Sequence, residues 1–107
     1  SNLIINTGAT FSQSFDLLNS DSSGPLDLNG FTVASQFRKH AGSSTKTDFT
    51  TAITDASNGQ ISISLSSTQT AAISKPGRYV YDVVINSGTV KTRVIEGSVL
   101  VREGVTK

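Results

Sequence analysis

At 107 residues the chain has the length of one domain and too little for two ordinary hydrophobic cores. With 36% hydrophobic and 16% charged residues it does not have the composition of a disordered chain, and no apolar run approaches the ~18 residues that span a bilayer. The formal net charge is +1, and Arg38, Lys39, Lys46, Lys75, Arg78, Lys91, Arg93 and Arg102 fall in several different segments. A nucleic-acid binder would concentrate its basic residues on one face or stripe, so the sequence points away from that class.

The absence of cysteine excludes disulfides, zinc-thiolate sites and thiol catalysis, and favours folding in a reducing cytoplasm. There is no Asn-x-Ser/Thr acceptor, and no signal peptide is visible. A start at Ser1-Asn2 rather than Met reads as a fragment or a processed chain.

Serine and threonine are abundant, and Gly, Asn and Asp cluster between short alternating apolar runs, the texture of an all-β chain. Leu3-Ile4-Ile5 is a brief apolar run interrupted by Gly8. From Thr10 to Leu17, Phe11, Phe15 and Leu17 share one parity, with Gln13 as the exception, and Thr10, Ser12, Ser14 and Asp16 the other, which places the two sets on opposite faces of a strand. Asn19 to Gly24 is a polar loop, punctuated again by Gly24-Pro25 and Asn29-Gly30. Phe31 to Lys39 reads as a strand with Phe31, Val33 and Phe37 inward and Arg38 outward, followed by a loop from His40 to Lys46. Asp48 to Thr54 is a strand carrying Phe49 and Ile53, and Asp55 to Gly59 forms a hairpin loop. Ile61, Ile63 and Leu65 alternate cleanly with Ser62 and Ser64. Ser67 or Thr68 can cap one helical turn over Ala71, Ala72 and Ile73, ended by Pro76-Gly77. Arg78 to Asn86 is apolar on both faces in its middle, as a central strand would be. After the turn Asn86-Ser87-Gly88, Val90 to Val101 forms a long last strand with Gly97 as a bulge or bend.

These runs predict a single antiparallel β-sandwich of about seven strands, ordered from about residue 3 to 101, with a loose tail from Arg102 to Lys107. Phe15, Phe37, Ile63, Tyr81 and Val83 are expected in its core.

The sequence assigns no catalytic, cofactor-binding or metal site. His40 lies in a Lys39-His40-Ala41-Gly42 turn and reads as a solvated loop histidine. Asp16, Asp21, Asp27, Asp48, Asp55, Asp82, Glu96 and Glu103 are scattered, and no pair suggests acid–base work. Asp27-Leu28-Asn29-Gly30 lacks the later ligands and closing Glu of a calcium loop and reads as a turn. Asp82 is expected to be buried in an ion pair with a partner such as Arg93. No P-loop or GxGxxG is present, and the absence of tryptophan weakens a sugar-binding reading. The chain is therefore expected not to be an enzyme and to need no cofactor.

The segment Ile73-Ser74-Lys75-Pro76-Gly77-Arg78-Tyr79-Val80-Tyr81 resembles the start of strand F in immunoglobulin-like domains, where a helical turn precedes G-x-Y-x-C. Gly77 and Tyr79 match, and Tyr81 stands where the cysteine would be. The resemblance implies that the Tyr79 hydroxyl bonds a backbone group between Leu65 and Lys75. It also implies that Tyr81 packs across the core, with Phe15 as a candidate partner. Otherwise the two tyrosines are simply same-face strand aromatics.

Taken together, four stretches resemble the small β-sandwich domains of tailed-phage structural proteins, such as baseplate-upper-protein N-terminal domains and related tail or fibre-attachment proteins. They are Asn58 to Leu65, Thr70 to Ile73, Gly77 to Val83 and Arg93 to Val101; the opening from Thr10 through Leu28 also fits. The resemblance implies a non-enzymatic virion domain (tail, baseplate or fibre), assembled in the host cytoplasm and held by contacts with other virion proteins or with itself. It implies no nucleic acid, membrane or small-molecule partner. The alternative is an immunoglobulin-like adhesion or carbohydrate-binding module of a bacterial surface protein, acting through loops at one end. The last strand is a candidate docking element, with Gly97 dividing an internally paired segment from one that reaches outward; otherwise the whole strand pairs within the domain.

Overall fold

The alternation of Ile61, Ile63 and Leu65 with Ser62 and Ser64 becomes the middle strand of a three-stranded sheet, with all three apolar side chains buried. That sheet packs against a larger one. The structure is a computed structural model and describes residues 2–19, 21 and 23–103. Among them the elements are β1 (Leu3–Asn6), β2 (Phe11–Asp16), β3 (Thr32–Arg38), β4 (Thr47–Asp48), β5 (Thr50–Asp55), β6 (Gln60–Leu65), a helical turn α1 (Ser67–Ala71), β7 (Gly77–Ser87) and β8 (Val90–Arg102). One sheet has the order β1-β8-β7-β3-β4 and the other β2-β6-β5, so the chain is mostly strand in two layers, as its alternation predicted.

The strand expected from Asp48 to Thr54 is two strands. β4 pairs with β3 in the larger sheet, and β5 pairs with β6 in the smaller one. Phe49 sits at the crossing, buried, with its N–H donating to the Ser35 carbonyl at 2.9 Å. Periodicity alone cannot show this change of layer, because alternation continues through it. Thr51 Oγ1 then donates to the Val33 carbonyl at 3.0 Å and ties the two sheets along that side.

The expectation of a purely antiparallel sandwich also needs correcting, since β1 runs parallel to β8 in the register Leu3↔Val99 to Asn6↔Arg102. Nearly the whole domain lies between the two strands, which gives the long crossover that a parallel pair requires. β8 itself reaches Arg102, whose Nε donates to Asn6 Oδ1, so the loose tail cannot start there. Residues 104–107 of that tail lie outside the described residues, as do Ser20 and Ser22 of the polar loop and Ser1.

The irregularity in β8 is at Val94 rather than Gly97. Val83 pairs with Ile95 and Val84 with Arg93, which leaves Val94 as the extra residue of a bulge. Gly97 pairs in regular register with Tyr81, and an aromatic side chain opposite a glycine covers the gap the missing side chain leaves. The cap of α1 is Ser66. Its hydroxyl accepts from the Gln69 N–H at 3.1 Å while the Gln69 side chain accepts from the Ser66 N–H at 2.8 Å.

Between the sheets lies an aromatic cluster with Phe49 at its centre. Ring centroids separate Phe49 from Phe11 by 5.7 Å, from Phe37 by 5.2 Å and from Tyr81 by 6.4 Å. Phe37, Ile63, Tyr81 and Val83 are buried as expected, but Phe15 is only half-buried and packs against the rim of the core. Phe49, delivered by the crossing, takes the place opposite Tyr81 that Phe15 was expected to fill.

Candidate functional site

His40, Asp27 and Asp82, singled out for possible chemistry, lie in different segments of the fold. His40 is exposed in its turn, where its carbonyl accepts from the Ser43 N–H. Asp27 forms a local turn, accepting from the Asn29 N–H at 3.0 Å and from Asn29 Nδ2 at 2.7 Å. The hydrogen bond from the Asn29 backbone, then that from its side chain, holds the Asp27 carboxyl below its usual value. Asp21 is held low in the same way, by the Ser23 side chain first and then its backbone. Among the described residues no three His, Asp or Glu side chains come together as a metal-ion cluster would.

Asp82 does pair with Arg93, Nε to Oδ2 at 3.2 Å, but on the surface and not in the core. The Arg93 guanidinium also lies 3.7 Å from Glu96. Even residues of β7 face outward, so Asp82 belongs to the solvent side of the larger sheet, opposite the face that carries Tyr81 and Val83. Such exposed pairs contribute ~0–1 kcal/mol each. With Gln36, Arg38 and Val80 they line a shallow, open depression on that outer face.

Tyr79 closes the corner before β7. Its hydroxyl donates to the Lys75 carbonyl at 2.7 Å, inside the predicted Leu65–Lys75 window. Its ring stands edge-on to Phe37 at 5.4 Å, and Lys39 Nζ lies 5.0 Å from the ring centre on the outside.

β8 pairs with β7 along its length, but β1 covers only Val99 to Arg102. From Val90 to Ser98 the second side of β8 has no strand neighbour among the described residues. The Asn2 side chain ends this open stretch by accepting from Ser98 Oγ at 2.9 Å. Of the two segments that Gly97 was expected to divide, the one after it is covered by β1 from Val99 onward, and the open part precedes it. The bulge at Val94, with Lys91 and Arg93 beside it, blunts the edge against indiscriminate pairing.

The topology also sorts charge along the strand direction of the sandwich. Asp16 and Asp55 end β2 and β5, and both pair with Gln60 at the start of β6. The β2–β3 connection, with Asp21 and Asp27, is bound to the same end, because the Leu28 N–H donates to Ala56 and the Leu17 N–H to Gly59. At the opposite end, Arg38 pairs in register with Val80, Arg78 with Leu100, and Arg102 with Asn6. Lys39 and Lys75 join them around Tyr79. The large apolar side chains left exposed divide in the same way: Leu18 and Val90 at the acidic end, Ile4 and Val80 toward the basic end. The sequence shows these charges as scattered because successive strands reverse direction. Only the pairing register gathers them.

Two packed sheets with an open edge and polarised ends define a β-sandwich domain whose distinctive features are surfaces rather than a cleft. The model of the LtfC-like β-sandwich domain family matches residues 1–102, and the chain belongs to that family. No curated protein matches the sequence.

Proposed function

We propose that this chain is a non-enzymatic structural domain of a tailed-phage virion protein, working through contacts with other virion proteins. The observation that carries the reading is the family match over residues 1–102, to a family associated by name with phage tail fibres. Tail fibre, baseplate and fibre-attachment positions all fit a domain of this size.

The strand order supports an immunoglobulin-like assignment. β2, β6 and β5 correspond to strands B, E and D, and β3, β7 and β8 to C, F and G, with β1 added along G. The bond from Tyr79 to Lys75 fits the tyrosine corner at the start of strand F. The stretch of β8 from Val90 to Ser98, whose side away from β7 has no strand neighbour among the described residues, is a candidate docking edge within this reading.

The test is to label intact particles with gold-tagged antibody against the domain and image them by electron microscopy. Label confined to tails or tail tips supports the proposal. Label on the bacterial surface with particles bare, together with glycan or receptor binding by the purified domain, overturns it in favour of the adhesion reading.

A further inference from the structure

We infer that the domain associates head to tail with a second copy of itself, the acidic end of one copy seating on the basic end of the next. The two ends match in both charge and apolar character. One carries Asp16, Asp21, Asp27 and Asp55, offset in part by Lys91, together with the exposed side chains of Leu18 and Val90. The other carries Arg38, Lys39, Lys46, Lys75, Arg78 and Arg102, offset in part by Asp48 and Glu103, beside the exposed Ile4 and Val80.

At the basic end the outward residues of three adjacent strands lie in one row. Ile4 of β1 pairs with Leu100 of β8, which pairs with Arg78 of β7. Val80 follows Arg78 on the same face. An apolar stripe between arginines suits a surface that carries both carboxylates and exposed apolar side chains, and the far end of the same molecule presents both. Opposite potentials steer the two ends together, and like ends repel.

The contact is heterologous, since different surfaces meet, so it leaves a free end on each side and extends into a row or closes a ring. This separates it from antiparallel pairing of two β8 edges, which uses the same surface twice and stops at a dimer. The inference stands on the charge map and holds whichever larger assembly houses the domain.

The test uses sedimentation velocity on the 107-residue chain over a concentration series, at about 0.01 M and about 0.5 M salt, where screening lengths differ several-fold. Expected is a mass that grows beyond the dimer at low salt, with association weakened on the order of tenfold or more at high salt. Two variants block one end each: Lys75→Glu with Arg78→Glu, and Asp16→Lys with Asp21→Lys. Each alone is expected to stay monomeric. Mixed, they are expected to form a one-to-one pair that grows no further, joined through the end each retains. Thermal melts confirm folding, and the neutral changes K75Q/R78Q and D16N/D21N replace any variant that does not fold. A parent that stays monomeric at low salt overturns the inference. So does a dimer that stops growing and ignores both end variants, which would assign self-association to the β8 edge.

Discussion

The Tyr79 hydroxyl donates a 2.7 Å hydrogen bond to the carbonyl of Lys75, four residues earlier. The bond fixes the path by which the chain leaves α1 and enters β7, the central strand of the larger sheet. Removing the hydroxyl while keeping the ring, Tyr79→Phe, should cost ~0.5–1.5 kcal/mol, because the Lys75 carbonyl can turn to water. Denaturant unfolding with an unchanged m-value would check it. Retained stability with a displaced Tyr79 ring would mean that packing on Phe37, not the bond, sets the corner.

Thr70 makes a more demanding bridge. Its side chain is fully buried, accepts from the Gly8 N–H at 3.0 Å and donates to the Ala9 carbonyl at 2.8 Å. It joins α1 to the link by which the chain passes from β1 to β2. Thr70→Val keeps the shape and strands both backbone groups, so it should cost ~1–3 kcal/mol. Faster amide exchange at Gly8 than in the parent would localise the loss.

Core truncations should separate by position. Phe37→Ala and Phe49→Ala empty the centre of the aromatic cluster and should each cost ~3–5 kcal/mol. Phe15→Ala should cost clearly less, because Phe15 lies half-buried at the rim. Chemical denaturation of the three variants in parallel measures the ordering.

Two glycines with positive φ should respond differently to alanine. At Gly59, φ +66, a Cβ would fall 2.5 Å from the Leu17 carbonyl oxygen and 2.8 Å from that of Leu26, in backbone that cannot swing aside. At Gly88, φ +59, it would meet nothing within 4 Å. Gly88→Ala should therefore cost only the left-handed strain, ~1–2 kcal/mol, and Gly59→Ala substantially more. Thermal melts that place the two variants together would show that the β2–β3 connection yields to the clash.

Acid should loosen the turns of the acidic end. Hydrogen bonds from Ser23 and Asn29 lower the carboxyl pKa of Asp21 and Asp27 in the folded state. Their contribution is complete above the unfolded carboxylate value, about 4, and is lost as pH falls through the lower folded values. Amide exchange or NMR shifts of Ser23 and Asn29, followed below about pH 4, should report these turns opening.

Much of this architecture was legible in the residues. Period-two alternation marked β2, β3 and β6, and the apolar middle of β7 marked a central strand, as it is in the larger sheet, although its outer face is turned to solvent and is not covered. The Gly77-x-Tyr79 pattern located the corner bond. Other features were invisible because they depend on what lies opposite. Nothing near Phe49 signals a change of sheet, and nothing in Val94 distinguishes a bulge. Gly97 drew attention as a glycine, yet sits in regular register under Tyr81.

What the sequence determined by itself was the class of structure: local side-chain periodicity and turn chemistry act over a few residues and suffice to specify strands, turns and one buried face. The tertiary structure alone decided how distant residues share a surface. Asp16 and Asp55 are far apart in the chain, as are Arg38 and Arg102, and each pair becomes part of one end only through the sheet order and register. Coulomb interaction depends on distance in space, so the polarity of the molecule belongs to its topology and not to its composition.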